Sequence, residues 1–145
     1  MLSRLLQAFA APGPTPLPEP DEKLALGALM VRIAKSDRHY DVTEIRRIDR
    51  LLTRLYDLGP VEAAKMRATC EKLEHAAPDT ERFGHLIREG VTHETRLSAL
   101  AALWEVVLSD GETLPPELRV LDAARAAMGL TEADGDIARA RAEAP

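Results

Sequence analysis

The chain has 145 residues, 46% hydrophobic and 30% charged, with a formal net charge of −5 and a single cysteine. That length suits one domain with an ordinary core, and Cys70 alone excludes a disulfide-stapled fold. Net acidity excludes a protein that coats nucleic acid, no apolar run reaches the roughly 18 residues of a membrane span, and 3% aromatic content beside 23 alanines and 21 leucines excludes a sheet-built core.

Residues 1–11 read as a short amphipathic lead carrying Leu2, Leu5, Leu6 and Phe9. Arg4 precedes only a brief apolar stretch that Gln7 interrupts, so a secretory signal is not expected and the chain is placed in the cytoplasm. Residues 12–20, PGPTPLPEP, read as a stiff linker, because proline removes amide donors and biases the backbone to an extended form. A helical domain is predicted over 21–145.

Punctuation divides that domain into about seven helices. Asp21 caps a first, running to about Ser36, and Asp41-x-x-Glu44 opens a second that ends near Gly59. Pro60 starts a third that stops before Pro78. A fourth spans Asp79 to about Glu89, and a fifth runs from Thr92 or His93 to Ser109. Pro115-Pro116-Glu117 begins a sixth ending at Gly129, and Thr131 caps the last, to about Ala142. No stretch sustains the alternation of a strand, so the predicted fold class is all-α.

A shift of 73 residues superposes Leu24 on Leu97, Ser36-Asp37 on Ser109-Asp110, Glu44 on Glu117 and Asp49 on Asp122. Each copy is an apolar helix, a loop containing Ser-Asp, and a second helix with Glu in its first turn. The apolar helices, LALGALMVRIA and LSALAALWEVVL, lack a polar face and must be buried on several sides. They are predicted to form the centre of a pseudo-twofold pair of helical units, with Gly27 and the alanines letting them approach closely. In the second helices Ile45, Ile48, Leu51, Leu52 and Leu55 are expected inward and Arg46, Arg47, Arg50 and Arg54 outward; Leu118, Leu121, Ala124 and Met128 are the inward set of the other copy.

The two loops hold the candidate chemistry. Each places Asp at the end of one helix and Glu seven residues later, Asp37 with Glu44 and Asp110 with Glu117, and Glu112 adds a carboxylate to the second. Brought together, these oxygens suit a divalent ion such as Ca²⁺, Mg²⁺ or Mn²⁺, and His39 offers nitrogen to Zn²⁺. Neither loop has EF-hand spacing. A purely structural reading competes, since Glu44 and Glu117 fall where a carboxylate satisfies free amides at a helix start, and Gly111 suits a positive-φ turn.

Leu24–Glu44, Arg82-Phe83 ahead of Glu94-x-Arg96-Leu97, Leu103-Trp104-x-Val106 leading into Ser109-Asp110-Gly111, then Glu117 and Met128-Gly129-Leu130, together resemble the TerB-like family of bacterial tellurite-resistance proteins. The resemblance covers about residues 21–142. It implies an all-α fold of two related helical units, a place in tellurite or stress resistance, and metal binding by Asp37, Glu44, Asp110 and Glu117. The chain departs from the family pattern at Asp37-Arg38-His39, where Asp-Gly is favoured, and at Pro115-Pro116, which stiffens the second loop. A related domain at the front of DnaJ-like co-chaperones implies binding of a protein.

Elsewhere the arginine stripe of the second helix reads as a solvated face rather than a phosphate or lipid site. Cys70 reads as a core thiol in the stripe Ala63-Met66-Cys70-Leu73, and Trp104 as core. Residues 1–75 carry 12 basic and 11 acidic side chains and residues 76–145 carry 7 and 13, so the acidic half is fitted to dock a protein partner or a second copy in a homodimer. The expected function is therefore a non-enzymatic helical module with an ion site in its acidic loops. The alternatives are a metal-free interaction domain and, more distantly, a metal-dependent hydrolase using Asp110 and Glu112.

Overall fold

The computed structural model describes residues 17–37, 40–77, 79–109 and 111–144. Seven helices follow in order: α1 (Glu22–Lys35), α2 (Val42–Tyr56), α3 (Pro60–Ala76), α4 (Thr80–Gly90), α5 (His93–Leu108), α6 (Pro115–Ala127) and α7 (Glu132–Glu143). No described residue is in a strand, and the fold is all-α. Among the described residues no helix is long and apolar enough to cross a membrane. The lead read over residues 1–11 lies outside the described residues.

The starts follow from capping chemistry. The first four amides of a helix have no partner within it, and side chains supply one. Asp21 accepts from Leu24 N, Asp41 from Glu44 N, Asp79 from Arg82 N and Thr92 from Thr95 N. Thr131 and Asp134 cap α7 reciprocally, at 3.1 and 2.9 Å. Pro60 and Pro115 stand at the first turn of α3 and α6, where a missing amide costs nothing.

α1 is the hub. From Ala25 to Ala34 all but Arg32 are buried, and the helix touches every other except α7. α5 buries seven residues from Leu97 to Val107 and carries α7 along its length. The repeat extends one helix further than the sequence comparison reached: α3 packs on α1 as α7 packs on α5, with α4 joining the units and lying on α1 and α6.

Two expectations need correction. Gly27 does not serve the approach of α1 to α5. A Cβ there would stand 2.3 Å from Cys70 Sγ, so the close contact is between α1 and α3. The α2 pattern is also rotated slightly from the expected one: Ile48, Leu51 and Leu52 are buried, Ile45 and Leu55 only half-buried, and Arg47 is drawn inward. In α6, Leu121, Ala124 and Met128 are buried and Leu118 is half-buried. Cys70 is fully buried, and burial, with Asp21 and Glu71 nearby, pushes its thiol up to about 12. A thiol so far from ionising is inert packing.

Candidate functional site

The two loops are built alike at the helix ends that enter them. α1 ends at Ser36 (φ −65°, ψ −26°) and α5 at Ser109 (φ −70°, ψ −24°). Each hydroxyl donates to the carbonyl three residues back, Ser36 to Ile33 and Ser109 to Val106, both at 2.6 Å. Serine competes for helical carbonyls in this way, and here it closes both helices at equivalent positions. Gly111 adopts φ 81°, the left-handed conformation its sequence context suggested.

The helices that leave the loops start differently. In the first unit Asp41 supplies a capping oxygen and Glu44 N donates to it at 3.1 Å. In the second, Leu114 stands at the N-cap and has no side-chain oxygen. Pro115 and Pro116 then remove two of the amides that would need satisfying. Glu117 reaches back instead, accepting from Leu114 N at 3.2 Å. It is 3% exposed, the one fully buried charged residue among the described residues.

Of the five carboxylates read as metal ligands, Asp37 is half-buried in the turn after α1, and Glu44 is half-buried in the first turn of α2. Glu112 is exposed in the second loop and Glu117 is buried beneath it. Asp110, His39 and Arg38 lie outside the described residues. Among the described residues no three His, Cys, Asp or Glu side chains are grouped so as to hold a metal ion.

Arg47 links α2 to the end of α5. It sits one turn beyond Glu44 in α2, and its Nη2 donates to the carbonyl of Ser109 at 3.1 Å. The start of α2 is thereby held against the end of α5, where the second loop begins. The stripe reading had placed Arg47 on the solvated face; periodicity alone could not show that α5 ends within its reach. Arg54 pairs with Glu105 of α5, and between these contacts lies a groove of about 450 Å³ lined by Arg47, Arg50, Leu51, Glu105 and Leu108. Arg46 and Arg50 remain exposed.

The arrangement offers hydrogen-bond acceptors and fixed charge at the loops, on a rigid helical frame. The family model for tellurite resistance protein TerB matches residues 23–142, the stretch from the start of α1 almost to the end of α7. No curated protein and no solved structure matches beside it. A model that spans all seven helices, and both serine-closed loops, makes this chain a member of the TerB family.

Proposed function

We propose that the chain is a non-enzymatic, cytoplasmic module of the tellurite-resistance type that works by engaging a protein partner without a resident metal ion. The observation that carries this reading is the use already made of the second loop. Glu117 is buried and bound to the Leu114 amide, and the Arg47 guanidinium is fixed on the Ser109 carbonyl. A fixed cation beside a loop repels a divalent ion, and it consumes an oxygen that such an ion would use. The uneven charge of the chain, acidic in residues 76–145, favours a basic partner surface.

The equivalent places of Glu44 and Glu117 in the two units, with Arg47 of α2 bound to the carbonyl of Ser109, favour a second reading. In it Asp37, Glu44, Asp110, Glu112 and Glu117 supply oxygens to Ca²⁺, Mg²⁺ or Mn²⁺. Titration calorimetry decides between them. The metal-free reading expects no saturable heat from Ca²⁺, Mg²⁺, Mn²⁺ or Zn²⁺, and a melting curve unchanged by chelator. Saturable binding of one ion, abolished by Asp110→Ala and by Glu112→Ala, would establish the ion site instead.

A further inference from the structure

The two units differ where their second and third helices meet. In the first, α2 and α3 pack directly and are stitched by charge: Arg67 of α3 donates from Nε to Asp49 of α2 at 2.7 Å and from Nη1 to Glu71 at 2.8 Å. In the second, α7 packs on α5 but hardly on α6, whose main neighbours are α4 and α1. The counterparts are present but unjoined. Arg139 stands as far beyond the N-cap of α7 as Arg67 does in α3, and it keeps the same ion pair within its helix, Nε to Glu143 at 2.8 Å. Its guanidinium lies over the Trp104 ring, 4.9 Å from the centroid, instead of reaching α6. Asp122, the counterpart of Asp49, keeps 74% of its side chain exposed, with only its helical neighbour Arg125 as a partner at 2.9 Å.

Two substitutions between the units explain the difference. Buried Val31 becomes Trp104, too large to cover fully, and buried Leu52 becomes Arg125. The Arg125 side chain spans from α6 to the glycine that α7 offers it: a Cβ on Gly135 would stand 3.1 Å from Arg125 Cδ. Arg125 Nη1 is bound at 2.6 Å to the Leu130 carbonyl, so this cation is committed within the fold. What remains is a groove of about 350 Å³ with Leu100, Trp104, Leu118 and Leu121 as its floor. Asp122, Glu132 and Asp136 form its rim, all exposed.

We infer that the groove between α6 and α7 docks a cationic amphipathic helix of a protein partner. Its apolar side chains enter over Leu118 and beside Trp104, and its Lys or Arg side chains meet Asp122 and Asp136 as Arg67 meets Asp49 in the first unit. An apolar floor with a like-charged rim is the form in which a groove takes an amphipathic helix, and the rim sets the sign of its partner. The inference rests on the protein-partner reading proposed above and not on whether the acidic loops hold an ion, so the peptide titration and the metal titration can fail separately.

Trp104 is the only tryptophan and reports on the groove directly. The probe is a synthetic amphipathic helix of leucine and lysine, free of aromatic residues, titrated into the full chain while Trp104 emission is followed. The expected result is a saturable blue shift, with affinity reduced on the order of tenfold in Asp122→Asn/Asp136→Asn and less than twofold in Glu81→Gln/Glu89→Gln on α4. Both pairs are exposed, and circular dichroism melts confirm their folding. The inference is overturned by an emission spectrum that does not move. Equal binding of the same peptide with glutamate for lysine, or equal weakening by the two double variants, overturns it too.

Discussion

Arg32→Leu is expected to remove about 3 kcal/mol of stability, the lower end of what breaking one partner of a buried ion pair costs, because this pair is partly exposed. Arg32 is the single polar residue within the buried run of α1, and its side chain is 13% exposed. Its Nε donates to Glu74 Oε2 at 3.2 Å, Nη1 to Thr80 Oγ1 at 3.3 Å, and Nη2 to the carbonyls of Glu74, at 3.0 Å, and Ala77. The cation also lies over the Phe83 ring, 5.5 Å from its centroid. One side chain thus ties the end of α1 to the end of α3 and the start of α4, and it satisfies carbonyls that the end of α3 leaves open. Leucine leaves those carbonyls unmatched and Glu74, 12% exposed, with Lys35 alone at 2.8 Å. Urea denaturation measures the loss. The double variant Arg32→Leu/Glu74→Leu is expected to recover part of it, because the stranded charge is gone. A loss below about 1 kcal/mol for the single variant would show that the network carries no net stability.

The second large effect is expected at Gly84. Alanine in a helix interior ordinarily gains about 1 kcal/mol over glycine. Here a Cβ would stand 2.4 Å from Ala127 Cβ, 3.2 Å from the Ala127 carbonyl carbon and 3.3 Å from the Ala124 carbonyl oxygen. Two of those atoms are backbone and cannot step aside, so α4 must move off α6. Overpacking of that kind costs about 1–3 kcal/mol or more, and Gly84→Ala is expected to be destabilising by about 2 kcal/mol net. Gly90→Ala, whose Cβ would meet nothing closer than Glu22 Oε2 at 3.4 Å, is the control and should be near neutral. Thermal melts of the two variants distinguish steric contact from propensity; a stabilised Gly84→Ala would contradict the close packing of α4 on α6.

Helix existence and most helix starts were legible because their causes are local. A capping Asp or Thr three residues ahead of the amide it accepts from, or a proline at a first turn, is written in a few consecutive positions. The repeat was legible too, down to Ser36 and Ser109, since both copies close the entering helix in the same way; Glu44 and Glu117 align, but the helices they open are capped differently. What could not be read is which neighbour a face meets. Arg32 and Glu74 are 42 positions apart, and nothing local distinguishes Arg32 from an arginine at the surface. Arg47 belongs by spacing to a solvated stripe, and only the position of the end of α5 turns it inward. Gly27 sat on an apolar helix, and its use against Cys70 depended on α3 lying there. The groove at Trp104 is not written in the 73-residue correspondence, because the differing attachments of α3 and α7 create it. For the candidate site, the spacing located the carboxylates, but their first employment, as with Glu117 on the Leu114 amide, is a property of the Leu114-Pro115-Pro116 start, where no side-chain oxygen is available.

α1 is the element around which both units close. Native-state hydrogen exchange tests this most directly, because amides that open only with the whole molecule report the global unfolding free energy. The amides of Leu29, Met30, Val31 and Ile33, all at 0% exposure, are expected to exchange with that global value, while those of α7 and the outer turns of α2 exchange through smaller openings. Faster exchange in α1 than in α7 would contradict a fold centred on α1.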